Sequence, residues 1–252
     1  MVSALDQVWL PPPADLAVTG DEVHVWRAWL DRPACHVKDM QRILSADELD
    51  RAACFRFEKD HWRFVVARAL LRAILSRYLN VEPDQLRFRT GDHGKPSLTP
   101  AFAQAALHFN LSHSDGLALY AVARGREVGI DVERVCPIAE ADQIIERLFS
   151  ASEKAAFRTH PDNSRQELFF TCWARKEAYA KARGEGLFLA PDQFDRSSIP
   201  WQPAELLRAH EYSPERHQFS LRNLSMDAEY VAAIAAEGDR WRLACWQYPE
   251  SG

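Results

Sequence analysis

Nowhere in this 252-residue chain do about 18 apolar residues run uninterrupted, the least a membrane-spanning helix needs, so a soluble protein with no membrane partner is expected. The stretch from Met1 to Pro11-Pro12-Pro13 has no basic region followed by an apolar one and reads as neither signal nor transit peptide. There is no C-x-x-C pair. The five cysteines (Cys35, Cys54, Cys136, Cys172, Cys245) are odd in number and far apart, which predicts reduced, buried, inert thiols in a cytoplasmic compartment rather than a disulfide framework. Nor is there an excess of positive charge. Against 36 Asp and Glu stand 31 Lys and Arg, a net of −5, so a general grip on nucleic acid is excluded and any anionic ligand has to be held by local charge. What is present is ordinary globular composition, 47% apolar and 27% charged, in a chain long enough to bury roughly 70 to 75% of its unfolded surface.

The chain echoes itself. Glu22-Val-His-Val-Trp26 reads as a strand, and 23 residues after Glu22 comes Ser45-Ala-Asp-Glu48, a helix start with Ser at the N-cap and Glu three later. Glu127-Val-Gly-Ile-Asp131 is also strand-like, and again 23 residues on stands Ser150-Ala-Ser-Glu153. Long amphipathic helices follow in both places, near residues 62–72 and 169–177, sharing Ala-Arg at an offset of 107. This predicts two similar halves, 1–124 and 125–252. The first is charge-neutral (15 basic, 15 acidic) and the second acidic (16 against 21), as if one side held phosphate and the other a metal.

Between the halves, Leu107, Phe109 and Leu111 alternate with His108, Asn110 and Ser112, a half-buried strand. Ser114-Asp115-Gly116 supplies a turn, 117–123 a second strand, Arg124-Gly125 another turn, and Val128, Ile130 and Val132 a third strand. Together they read as an antiparallel meander. Residues 229–235 and 241–246 read as strands of the second half, and 184–220 is Pro-, Ser- and charge-rich without a clear pattern.

Asp131 and Glu133, at i and i+2, leave one face of the third strand. Two adjacent carboxylates repel unless a cation lies between them, and an oxygen-only set suits Mg²⁺; a solvated strand end paired with Arg134 or Arg126 would also account for them. On the second long helix Trp173, Glu177 and Lys181 form one stripe, which by itself is equally a routine surface pair beside a core tryptophan. Gly94-Lys95-Pro96 is a rigid turn and Asn110-Leu-Ser112-His113-Ser114 a polar strand end; either could hold phosphate or be purely structural.

Read in order, Gly94-Lys95-Pro96, Phe109-Asn-Leu-Ser-His113-Ser114, Val128-Gly-Ile-Asp131-Val-Glu133, Phe149-Ser150 with Glu153, and Trp173-Ala-Arg-Lys-Glu177-Ala-Tyr-Ala-Lys181 resemble the Sfp-type 4′-phosphopantetheinyl transferases over about residues 45–190. The resemblance implies an α+β fold of two similar α/β halves related by a pseudo-twofold axis, each with a small, mainly antiparallel sheet packed on a long helix. Coenzyme A and Mg²⁺, or Mn²⁺ in its place, would lie in the cleft between them. It implies Asp131, Glu133 and Glu177 as metal ligands. Arg51, Lys95, Ser112, His113, Asp131 and Lys181 would be the coenzyme A contacts, and Glu153 a further acidic position near the metal.

The implied reaction is attack by a serine of an apo acyl, peptidyl or aryl carrier protein on the pantetheine-side phosphorus, releasing adenosine 3′,5′-bisphosphate. A lysine ammonium is a poor proton acceptor at neutral pH, which makes Glu177 the expected base and Lys181 a phosphate clamp. Carriers of this kind are acidic, so an apolar patch rimmed by arginines is expected near the cleft, and a monomer suffices because the duplication supplies both walls. Two departures from the family pattern bear on the nucleotide contacts. Glu48 stands where similar enzymes carry a second lysine, and Phe64 replaces a small hydroxyl residue, with Arg63 and Arg68 as candidate compensation. The alternatives are a coenzyme A-sensing protein and a Mg²⁺-dependent pyrophosphate hydrolase.

Overall fold

Every residue from Leu117 to Ala123 is buried, which in a strand means cover on both faces. The computed structural model, which describes residues 7–91, 94–138, 141–161, 164–184, 205–208 and 218–249, shows what supplies that cover. The first half runs β1 (Glu22–Trp29), α1 (Ala34–Gln41), α2 (Ala46–Ala53), α3 (Glu58–Leu79), two short strands β2 (Phe88–Thr90) and β3 (Pro96–Leu98), then β4 (Leu107–Ser114) and β5 (Leu117–Arg124). The second runs β6 (Val128–Arg134), α4 (Ala141–Leu148), α5 (Ala151–Thr159), α6 (Arg165–Arg183), β7 (Glu205–Arg208), β8 (Gln218–Leu224), β9 (Tyr230–Glu237) and β10 (Arg242–Gln247).

Two four-stranded sheets result, ordered β10-β1-β5-β4 and β6-β9-β8-β7, with a separate β2-β3 ribbon. In each, the first strand of a half pairs antiparallel with the last strand of a hairpin, β1 with β5 and β6 with β9. The two sheets stack face to face: Val23, Val25, Leu119 and Ala121 of one share a core with Val128, Ile130, Val132 and Ile234 of the other. Outside the first sheet lies α3, whose Val66, Leu70 and Ile74 pack with Trp26, Tyr120 and Val122, and the Tyr120 hydroxyl donates to the Ala67 carbonyl at 3.0 Å. Outside the second lies α6, with Ala174, Ala178 and Ala182 against Ala233 and Ala235. The order helix, sheet, sheet, helix is an α+β architecture.

Both halves also start their helices alike. Ser45 and Ser150 each form a reciprocal capping box with the glutamate three residues later, worth about 0.5–2 kcal/mol per cap. Each of those glutamates is buried against the long helix that follows. Glu48 accepts from Arg68 and Arg72, both at 2.7 Å, and Glu153 pairs with Lys176 at 2.9 Å.

Three expectations are corrected. The strand at 241–246 belongs to the first sheet, where β10 runs parallel to β1, so the chain returns to the half it began in. The three-strand meander ends after two strands. β4 and β5 pair, but the other edge of β5 is taken by β1, so β6 has no free edge of β5 to join and leaves for the second sheet. Three cysteines (Cys35, Cys54, Cys136) are exposed rather than buried, and none of the five is in a disulfide. Most of 184–220 lies outside the described residues, and no helix among them is long and apolar enough to cross a membrane.

Candidate active site

β4 and β6 are the edge strands at which the two sheets meet, and side chains stitch them together at every second residue of β4. His108 Nδ1 lies 2.9 Å from Glu127. Asn110 Oδ1 accepts from the Ile130 amide at 2.9 Å, Ser112 Oγ donates to Asp131 Oδ1 at 2.8 Å, and Ser114 Oγ donates to Glu133 Oε2 at 2.9 Å. The alternation that made 107–111 read as a half-buried strand therefore builds a polar seam that holds the two carboxylates of β6.

Helix α6 closes on this seam because Gly129 lets it. A Cβ there would stand 2.1 Å from the Ala178 carbonyl oxygen and 2.3 Å from the Ala182 nitrogen, so only glycine permits this approach. Lys181 then reaches across, donating to Asp131 Oδ1 at 2.6 Å and to Ser112 Oγ at 3.0 Å. Asp131 is 2% exposed, which removes the solvated-strand-end reading, and its Oδ2 is buried with no hydrogen-bond partner.

Three carboxylates share this space. Burial raises the pKa of Asp131, with Lys181 opposing the rise. Burial and then the Asp131 charge push Glu133 up to about 7, with Glu177 contributing. Glu177 is raised by burial; Lys181 lowers it and Asp131 raises it. Burial thus disfavours the charged form of each carboxylate, a cost that a divalent cation held by an oxygen-only set would offset. As they stand, no three His, Cys, Asp or Glu side chains among the described residues are gathered closely enough to hold a metal ion. The donor set and the orphaned Asp131 oxygen nevertheless fit Mg²⁺. His113, on the opposite side of β4 from Ser112, is held below its ordinary pKa of 6.5 by the protein crowding it, then by the charges of Lys181 and Arg63.

The structure brings together Ser112, Asp131, Glu133, Glu177 and Lys181, leaves His113 on the other side of β4 within reach of the Lys181 charge, and leaves two predicted contacts apart from them. Lys95 bonds Glu127 at 2.9 Å and the carbonyls of Val128 and Ala182 at 3.3 Å, fastening β3 to the ends of β6 and α6. Arg51 lies 5.8 Å over the ring of Phe64, the residue that departs from the family pattern. Glu153 serves its capping box and Lys176, and no described contact joins it to the other carboxylates. Arg63 and Arg68, the candidates to make up for the departures at Glu48 and Phe64, are both ion-paired within the protein: Arg63 with Asp31 and Asp115 and Arg68 with Glu48 itself. A cavity of about 260 Å³ among α4, α5 and α6, lined by Ile145, Phe157, Phe169 and Phe170, includes none of the three carboxylates.

Comparison with known proteins agrees with this geometry. Residues 127–235 match the model of the 4′-phosphopantetheinyl transferase superfamily, and residues 27–124 match that of the 4′-phosphopantetheinyl transferase N-terminal domain. The chain belongs to this family. Among its transferase relatives, HetI of Nostoc sp. is 40% identical over 244 residues, 97% of this chain and 100% of that protein. Sfp of Bacillus subtilis is 28% identical over 172 residues, 68% of this chain and 74% of that one. A solved Chronobacterium ammoniagenes ACPS-CoA complex, 22% identical with a TM-score of 0.31, covers 45% of this chain and 96% of its own. Asn110 and Ser114, read from the sequence as part of a polar strand end that could hold phosphate or be structural, bond β6 in the structure. The residue that the sequence reading did not single out is Gly129, and a glycine between buried strand positions was the available signal for it.

Proposed function

We propose that the seam between β4, β6 and α6 is where this chain carries out its family's reaction, transfer of 4′-phosphopantetheine from coenzyme A to a serine of an apo carrier protein. The observation that carries this is Asp131 Oδ2, buried and unpartnered beside Lys181, with Glu133 and Glu177 near enough to feel the Asp131 charge. Asp131, Glu133 and Glu177 would hold Mg²⁺. When bound, it would supply charge neutralisation on the pyrophosphate as the phosphorus–oxygen bond to the nucleotide breaks.

The side chains supply the rest. Ser112 and Lys181 fix Asp131, and Lys181, partly exposed at 30%, keeps donors to offer a phosphate oxygen of the leaving adenosine 3′,5′-bisphosphate. His113 faces the same charges from β4. Glu177 makes no hydrogen bond or ion pair among the described residues, so its oxygens are open to the incoming serine. The serine oxygen bonds to phosphorus, the bond to the leaving phosphate breaks, and the serine proton passes to Glu177.

The shared order of three strands, β1-β5-β4 and β6-β9-β8, supports a pseudo-twofold relation; the assignment of 1–124, with β10 added to its sheet, as the nucleotide side and of the rest of 125–252 as the metal side, and a cytoplasmic monomer, are part of the proposal. The test is Glu177→Gln assayed beside coenzyme A binding by calorimetry. The expected result is a rate lowered about 10²–10⁴-fold with coenzyme A still bound; an unchanged rate removes Glu177 as base.

A further inference from the structure

The turn that ends β4 carries a charge that the turn itself does not need. Two residues, Asp115 and Gly116, join β4 to β5, with Ser114 opposite Leu117, and Asp115 is in the left-handed region at a φ of 49°. Asn-Gly or Gly-Gly makes such a connection as well as Asp-Gly does, so the chain reversal does not require a carboxylate. Both oxygens of this one are used. Asp115 Oδ1 is paired with Arg63 of α3 and lies 3.8 Å from Lys59, while Oδ2 accepts from Arg134 of β6 at 2.6 Å. Arg63 is itself a fixed point, 9% exposed, because Asp31 grips it through two bonds at 2.7 and 2.8 Å. The turn rests on that pair. The Leu30 amide donates to the Gly116 carbonyl at 2.7 Å, and a Cβ on Gly116 would lie 3.1 Å from Asp31 and 3.2 Å from Arg63.

Residues 114 and 115 together hold residues 133 and 134 of the facing strand. Ser114 Oγ accepts from the Arg134 amide at 3.1 Å and donates to Glu133 Oε2 at 2.9 Å. A hydroxyl has one proton, and with the amide on the oxygen's lone pair that proton is directed at the carboxylate. This is the last rung of the seam. β6 ends at Arg134, with a backbone ladder to β9 along one edge and the side chains of β4 along the other. The Arg134 side chain bonds Asp115 while its backbone bonds Ser114, so adjacent turn residues grip the strand end at two points. A continuous line of contacts therefore runs from the Asp31–Arg63 pair through Asp115, Arg134 and Ser114 to the Glu133 carboxylate.

We propose that Asp115 is a positioning residue for Glu133: by tying Arg134 to the anchored Arg63 it keeps the Ser114 hydroxyl on Glu133 and presets that carboxylate for a divalent cation. Asp115 touches neither the cation nor the substrate. This rests on the reading of Asp131, Glu133 and Glu177 as the ligands of Mg²⁺ and adds what holds one of them in place before the ion arrives.

The test is Mn²⁺ binding, followed by electron paramagnetic resonance on the enzyme saturated with coenzyme A, in wild type, Asp115→Asn, Ser114→Ala and the double variant. Asparagine keeps the size of Asp115 and its tolerance of left-handed backbone, so the turn stays and the charge pairing goes. The Mn²⁺ Kd is expected to rise about tenfold in Asp115→Asn, the scale seen when an outer partner of a metal ligand is removed. It is expected to rise no further when Asp115→Asn is added to Ser114→Ala, because the line of contacts passes through Ser114. Arg134→Gln, which breaks the same link from β6, is expected to match Asp115→Asn and serves in its place if that variant does not fold. The Mg²⁺ concentration for half-maximal carrier modification should rise in step, with kcat at saturating Mg²⁺ within about twofold of wild type. A lower melting temperature with wild-type Mn²⁺ Kd makes Asp115 a stabilising residue only and overturns the proposal. A loss that adds in full to that of Ser114→Ala overturns it too, since Asp115 would then act by another route. A wild-type enzyme that takes up no Mn²⁺ beyond that held by coenzyme A alone fails the ligand reading itself, before any variant is compared, and removes this proposal with it.

Discussion

Replacing Gly129 by alanine adds one carbon at the closest approach of α6 to β6. The new Cβ would begin 2.1 Å from the Ala178 oxygen, against about 3.4 Å for an ordinary contact, and both neighbours are backbone atoms that no rotamer change can move. The helix has to retreat by about 1.3 Å. Lys181 and Glu177 ride on that helix, so the 2.6 Å bond from Lys181 to Asp131 opens past hydrogen-bonding distance and Glu177 leaves the other two carboxylates. Overpacking of this kind costs about 1–3 kcal/mol, or roughly 2–4 °C of melting temperature per kcal/mol in a chain of this size. A displacement of about 1 Å in catalytic groups costs on the order of 10²-fold in rate. Gly129→Ala is thus expected to remain folded by circular dichroism, melt several degrees lower, and lose about 10²-fold in kcat for carrier modification. Wild-type kcat in a variant that melts lower would refute the reasoning, because the strain would then have been relieved without moving the helix.

Lys181→Ala removes the donor to Asp131 and, on the proposed reading, the clamp on the leaving phosphate, and is expected to lower the rate about 10²–10³-fold, with Ser112→Ala costing less because Lys181 still holds Asp131; single-turnover assays rank the two. Glu48→Gln is expected to destabilise by about 3–5 kcal/mol in urea unfolding, since Arg72, 1% exposed, would be left buried beside a neutral partner. Asp39→Ala, which breaks an exposed pair with Arg42, should cost about 0–1 kcal/mol. His24 is 3% exposed, and burial holds its pKa below 6.5 against the opposing pull of Glu22. The unfolded chain therefore takes up a proton near pH 6.5 that the folded chain refuses, and stability falls as pH drops below 6.5, by up to about 1.4 kcal/mol per unit. Urea unfolding of wild type and His24→Gln at two pH values on either side of 6.5 should show stability falling less, or rising more, in the variant as pH drops; the difference between the two isolates His24 from His113, lowered like it, and from Glu133, raised to about 7 and acting the opposite way.

The elements were legible in the sequence because their signals are local. Ser45 with Glu48 and Ser150 with Glu153 mark helix starts through bonds that span three residues, and the alternation from Leu107 to Ser112 marks a strand through its own two faces. What was not legible depends on pairing between distant segments. Nothing in 241–246 says that β10 joins β1 rather than its sequence neighbour β9. The polar face of β4 reads the same whether it meets water or, as here, β6. The site was legible in part for the same reason. Asp131 and Glu133 share a face by strand geometry alone, and Glu177 and Lys181 share a helix stripe, but that the stripe lies across the strand depends on Gly129, whose meaning is visible only once α6 is in place. Lys95 and Arg51 were placed at the ligand by resemblance. In the structure the first fastens three elements together and the second rests on an aromatic ring that this chain has and the family pattern lacks.

The most direct test of the account is the intact mass of an apo carrier protein after incubation with the enzyme, coenzyme A and Mg²⁺, run beside Asp131→Ala and beside a chelator. The account predicts one phosphopantetheine increment per carrier, lost in both controls, with adenosine 3′,5′-bisphosphate appearing only when carrier is present. An increment that survives Asp131→Ala would contradict the site. Release of phosphopantetheine without any carrier would contradict the transfer, and place the same carboxylates in hydrolysis.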